Sequence, residues 1–177
     1  MNNEGTRTVR LTVEVSDCGI AGLGDKDLDG CADTPVQSAG FIEVEQGWVT
    51  LHITHQCGPA DFTVTIADRD PGADLATYED ITEIGYVSIS GKVEMSGFTF
   101  DAAVTHPLPS LPAGPGTYRI RYHVKNMDWE GARDDGVDDH YLQIWPAPLE
   151  EPAIVKATSN ASEYFLDREK FARDREL

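Results

Sequence analysis

The sequence predicts an all-β protein: an antiparallel β-sandwich with a short C-terminal helix. Short apolar/polar alternations recur along most of the chain, as expected of strands with one packed and one solvated face. Glycine and proline punctuate them at turn spacing. No strand–helix–strand rhythm appears, which argues against a doubly wound or barrel α/β enzyme. At 177 residues, the chain is expected to form one domain over 1–177, with a core at about 8–157 and a helix at about 160–174.

Thr8 to Asp17 reads as a strand, with Val9, Leu11, Val13 and Val15 against Arg10, Thr12 and Glu14. Cys18 to Gln37 reads as a long loop, because Gly19, Gly22, Gly24, Gly30 and Pro35 interrupt it. Phe41 to Glu45 is a short strand. Val49, Leu51 and Ile53 then alternate with Thr50, His52 and Thr54, and Phe62, Val64 and Ile66 with Thr63 and Thr65. The turn Gln56-Cys57-Gly58-Pro59 between them predicts a hairpin. Ala73 to Glu83 is expected to be irregular, Ile84 to Ser90 a strand, and Val93 to Met95 its return after Gly91, with Phe98 and Phe100 closing the core. Pro107, Pro109, Pro112 and Pro115 predict a stiff surface crossing.

The clearest pair of strands follows. Tyr118, Ile120, Tyr122 and Val124 alternate with Arg119, Arg121, His123 and Lys125, and Tyr141, Ile144 and Trp145 supply bulk to a partner strand that Pro146 ends. Ser159 or Asn160 can cap the final helix, and Glu163 stands at capping-box spacing from Asn160. The helix is otherwise mostly polar, so weak docking is expected.

Acidic residues number 31 against 14 basic, a formal charge of −17. That balance argues against direct contact with nucleic acid or an anionic membrane, and it suits a basic protein partner. No secretory signal and no apolar run of ~20 residues is seen, and three cysteines make no disulfide framework. The expected location is cytoplasmic. Oligomeric state is not legible.

Four stretches are candidate sites. Asp25, Asp27, Asp29, Cys31 and Asp33 fall at alternate positions around Gly30, the spacing by which oxygen ligands converge on calcium. Val36 stands where an EF-hand would place its bidentate glutamate, and an acidic solvated loop gives the same pattern. His52, His55 and Cys57 could contribute to a zinc site only with a further ligand; otherwise they are two surface histidines and a small buried thiol. Arg119, Arg121, His123 and Lys125 form a basic stripe, the first three of them the expected contacts, that could meet an anionic ligand or a partner's carboxylates, or be neutralised across the sheet. Trp129, with Asp134, Asp135 and Asp138 nearby, suits either a protein-binding tip or a tryptophan tucked in to anchor its loop. Enzyme chemistry finds little support, since no Walker loop, nucleophile elbow, zincin or Cys-x-x-Cys motif is present.

The run LPAGPGTYRIRYHVKNMD from Leu111 to Asp128, followed by YLQIWPAP and a Lys-Ala step, resembles a family of small uncharacterised bacterial proteins commonest in actinobacteria. That resemblance covers roughly residues 40–160 and implies no catalytic role for Tyr118, His123 or Trp145. The Leu-Pro-x-Gly-x-Tyr pattern between Leu111 and Tyr118 is also similar to the competence protein J family of nuclease inhibitors, although an extra Pro-Gly interrupts it here. It implies an inhibitor or immunity-like role. The sequence reading is therefore a non-catalytic acidic binding protein, with a calcium-supported structural or sensing module and an enzyme of a type lacking local motifs as the alternatives.

Overall fold

The computed structural model describes residues 5–15, 19–26, 36–45, 47–54, 57–97, 104–128 and 138–175, the last seven without their side chains. Two six-stranded sheets face each other. One runs β1 (Thr6–Val15), β6 (Gly58–Ala67), β11 (Asp139–Pro146), β10 (Gly116–Lys125), β7 (Asp80–Ser88) and β12 (Ala153–Lys156). The other runs β3 (Gln37–Ala39), β4 (Ile42–Glu45), β5 (Trp48–His52), β2 (Ile20–Asp25), β8 (Val93–Gly97) and β9 (Thr105–Pro107). Among the described residues, all pairings are antiparallel except β6 with β11. The all-β sandwich predicted from alternation is the observed fold.

The core lies between the inner faces. Tyr118, Ile120, Tyr122 and Val124 of β10, Phe62, Val64 and Ile66 of β6, and Ile84 and Tyr86 of β7 meet Leu23, Ile42, Val49, Leu51, Val93 and Met95 of the opposite sheet. Each fully buried aliphatic or aromatic side chain contributes about 1.5–3 kcal/mol relative to exposure, so this interleaving is the principal source of stability.

Several local expectations are corrected. The stretch read as a loop from Cys18 contains β2, a central strand. Gly22 is there for clearance: a Cβ would lie 1.9 Å from the Trp48 ring of the paired strand β5. The glycine admits an aromatic ring lying against the sheet and does not break the strand. The predicted β5–β6 hairpin and the predicted return of β8 beside β7 are both crossings between sheets. Gly58 and Gly91 do adopt positive φ, 112° and 69°, but the reversals they permit pass from one layer to the other. The expected irregular stretch gives way to β7 from Asp80. The proline-rich crossing includes β9 and buries Leu108 and Leu111. Phe98 and Phe100 lie outside the described residues.

Helix α1 (Asn160–Arg175) starts where expected, but its anchoring is stronger than its composition suggests. Ser159 Oγ accepts from the Ser162 N–H at 3.0 Å and is the cap. Asp80, fully buried on β7, accepts from the N–H groups of Thr158 and Ser159 and from the Ser159 hydroxyl. Asp128 accepts from the N–H groups of Asn160 and Ala161. Two carboxylates thus meet the positive end of the helix dipole. Phe165 packs on the rings of Phe41 and His52, with centroids 4.9 and 5.0 Å away. Among the described residues, no helix is long and apolar enough to cross a membrane.

Candidate functional site

The site that the structure assembles lies on the outer face of β10, β11 and β7. Register sets it: Arg119 stands opposite Gly85 and Trp145, Arg121 opposite Glu83 and Gln143, and His123 opposite Ile81 and Tyr141. Alternation correctly puts these three residues on the face away from the core. That face is nonetheless buried. Arg119, Arg121 and His123 are 4, 5 and 0% exposed, because β10 is an interior strand and the segments 68–79 and 147–152 lie over it.

The basic stripe is consumed inside the protein. Glu83 binds both guanidinium groups, Arg119 Nε at 3.1 Å and Arg121 Nε at 2.6 Å. Arg119 donates its other nitrogens to the carbonyls of Glu150 and Glu151, at 3.1 and 3.0 Å. Arg121 forms a fork with Asp70, at 2.8 and 3.1 Å, donates to Gln143 Oε1 at 2.8 Å, and stacks 4.6 Å above the Trp145 ring. Burial disfavours the Arg121 charge, but the bonds to Asp70 and Glu83 outweigh it and the pKa is raised. The bond from Arg121 in turn lowers that of Asp70, against a smaller opposing effect of burial. The expected exposed stripe is therefore a satisfied internal network, and cross-strand neutralisation by Glu83 is the reason.

His123 is held differently. Its Nε2 accepts from the Asp74 N–H at 3.2 Å, and its Nδ1 lies 3.3 Å from the Tyr141 carbonyl. A backbone N–H only donates and a carbonyl only accepts, so these partners fix the neutral tautomer protonated at Nδ1. The ring sits between Tyr78 and Tyr141, with centroids 5.1 and 4.9 Å away. Burial lowers its pKa to about 4, with the nearby Arg121 charge acting in the same sense.

Where β10 and β11 meet the loop that joins them lies a polar groove of about 760 Å3, lined by Lys125, Asn126, Asp138 and Asp139 and by Arg10, Thr12, Asp61 and Thr63. Lys125 pairs with Asp139 at 3.1 Å, and Thr12 donates to Asp61 at 2.6 Å. Asp138, expected at an exposed tip, is buried and accepts from Thr54 Oγ1 at 3.1 Å. Beneath it, Tyr122 Oη and His140 Nδ1 lie 2.8 Å apart, with His140 stacked on Phe62. Burial and the Asp138 charge push the Tyr122 pKa well up. Trp129, Asp134 and Asp135 lie outside the described residues.

Of the five candidate calcium ligands, Asp25 alone is described; Asp27, Asp29, Cys31 and Asp33 are not. The Asp25 carboxylate is buried and occupied. Oδ2 accepts from Tyr86 Oη at 2.7 Å, and Oδ1 accepts from Ser88 Oγ and the Ser90 N–H, both at 2.8 Å, and from Ser90 Oγ. Burial alone would raise its pKa, but the hydrogen bonds from Ser90, Tyr86 and Ser88 prevail and hold it below its ordinary value. The first aspartate of the expected calcium loop is thus a tie between the sheets. Among the described residues, no three His, Cys, Asp or Glu side chains form a metal-holding group. His52, expected at the surface, has a side chain only 12% exposed and pairs with Glu43 at 3.0 Å; the thiol expected inside, Cys57, is exposed. His55 lies outside the described residues.

Sequence reasoning missed Asp80, Tyr78 and the Tyr122–His140 pair. The available signals were weak: Asp80 falls in the stretch judged irregular, and His140 was one of several histidines without a local companion.

The chain is thus a two-sheet sandwich in which Arg119, Arg121 and His123 are spent on its own strands and loops. No family model matches it, the actinobacterial resemblance included, and no curated protein does. Two solved structures are similar in fold. ComJ from Bacillus subtilis, an inhibitor of the DNA degrading activity of NucA, aligns with a TM-score of 0.52 at 11% identity over 80% of this chain and 98% of ComJ. Crocagin biosynthetic gene J aligns with a TM-score of 0.51 at 14% identity over 81% of this chain and 99% of that one.

Proposed function

We propose that this protein acts by binding another protein, as an inhibitor or immunity-like factor, and that its partner is basic. The observation that carries the reading is the likeness of fold to ComJ, a nuclease inhibitor, over 98% of that chain. The net charge of −17 supports a basic partner, because complementary charge speeds encounter and disfavours acidic competitors. The burial of Arg119, Arg121 and His123 supports contact through other, acidic parts of the surface. DNA cleavage by basic nucleases encoded in the same genome is the direct assay, run with increasing amounts of this protein at low and high salt. Stoichiometric loss of cleavage, weakening as salt rises, is the expected result. Undiminished cleavage by every such nuclease at low salt would refute the inhibitor reading.

A further inference from the structure

We infer that the segment 68–79 is a strap latched over the outer face of β10 and β11, and that protonation of His123 unlatches it in mild acid. The strap joins the sheet only at its ends, where the Asp68 N–H donates to the Gly5 carbonyl and the Glu79 N–H to that of Val124, each at 3.1 Å; between them it lies on the sheet. Asp70 is forked to Arg121, the Gly72 carbonyl accepts from Gln143 Nε2 at 2.9 Å, and the Asp74 N–H is held by His123 Nε2. Lys156 Nζ reaches the carbonyls of Leu75 and Tyr78. Tyr78 is the one buried apolar side chain among residues 70–79; Leu75 is 55% exposed. Water can replace each polar tie as the strap lifts, so local opening sacrifices little apolar burial.

Of these ties, the one at His123 depends on a lone pair that mild acid removes. A proton on Nε2 would set two N–H donors against each other across 3.2 Å, and the strap must withdraw for the new charge to be solvated. The groups facing His123 are Asp74 and Tyr78 from the strap, Tyr141 from β11, Glu83 from β7, and Arg121 on its own strand. Burial resists protonation most and Arg121 less, while the hydrogen bond to the Tyr141 carbonyl favours it, with Asp74 and Glu83 adding weaker support. Asp70 stays ionised through this range because its pKa is lowered, so the Arg121 fork holds and serves as the hinge.

The linkage has a definite sign. Closed and open forms both hold neutral His123 above the ordinary value of 6.5, and the closed form resists protonation down to about 4. As pH falls through both limits opening becomes favoured by up to about tenfold per pH unit, roughly 300-fold over the whole titration. Hydrogen exchange of the full chain, corrected for the intrinsic pH dependence of amide exchange, is the test. Amides 72–78 are expected to lose protection by about 80-fold between pH 6.5 and 4, because the open form is half-titrated at the first limit and the closed form at the second, while those of β2 and β5 keep theirs. H123Q can accept from Asp74 without titrating, and it should keep the strap protected at both ends of the range. Unchanged protection of 72–78 in the wild type, loss of protection there only together with β2 and β5, or the same acid response in H123Q would each overturn the proposal.

Discussion

Replacing Asp25 with alanine separates a structural carboxylate from a calcium ligand. The side chain accepts four hydrogen bonds from β7 and the turn after it. Ser90 can compensate, since it is half-buried and the Lys92 carbonyl, 2.9 Å from its Oγ, can take the hydroxyl proton released from Asp25. Tyr86 and Ser88, at 0 and 1% exposure, have no such access to water. Leaving a buried donor unsatisfied costs about 1–3 kcal/mol, so two give a loss of about 2–6 kcal/mol. At the usual scaling for a chain of this length, a loss of about 4 kcal/mol lowers Tm by roughly 8–16 °C. Urea unfolding followed by circular dichroism, in chelator and without added calcium, measures it. The pH dependence adds a check. The folded-state pKa lies below the ordinary 3.8, so the wild-type advantage is complete above that value and disappears as pH falls through the lower folded value. A loss under 1 kcal/mol in chelator, or one that appears only with calcium present, would refute the structural account.

Two further substitutions test the packing. Arg121→Met removes the shared cation and leaves Glu83 and Asp70 without it; a loss of about 3–5 kcal/mol is expected in chemical denaturation, and adding Glu83→Gln should restore part of it. Gly22→Ala puts a methyl group into the Trp48 ring and should cost about 1–3 kcal/mol, with a shift in tryptophan emission as the ring moves; an unchanged spectrum and stability would mean that Gly22 is not required for clearance.

The periodicity of two, read locally, was enough to establish that the protein is a sandwich, and it assigned Tyr118, Ile120, Tyr122 and Val124 to the core. It also located the terminal helix, because capping residues act within one turn of the chain. It could not say which sheet a strand joins. Gly58 and Gly91 reverse the chain whether the next strand pairs with the last or crosses to the facing layer, and only the packing of the whole core decides that. Nor could it say what covers an outer face. Arg119, Arg121 and His123 alternate as solvent-facing residues do, yet Asp70, Asp74, Glu83 and the carbonyls of residues 150 and 151 reach them from distant parts of the chain. Asp25 illustrates the same limit: its spacing from Asp27 and Asp29 suggests a metal, while Tyr86 and Ser88, more than sixty positions away, supply the donors that it meets. Backbone conformation follows from neighbours in sequence; the pairing of charges follows from neighbours in space, and those exist only once the sheets have assembled.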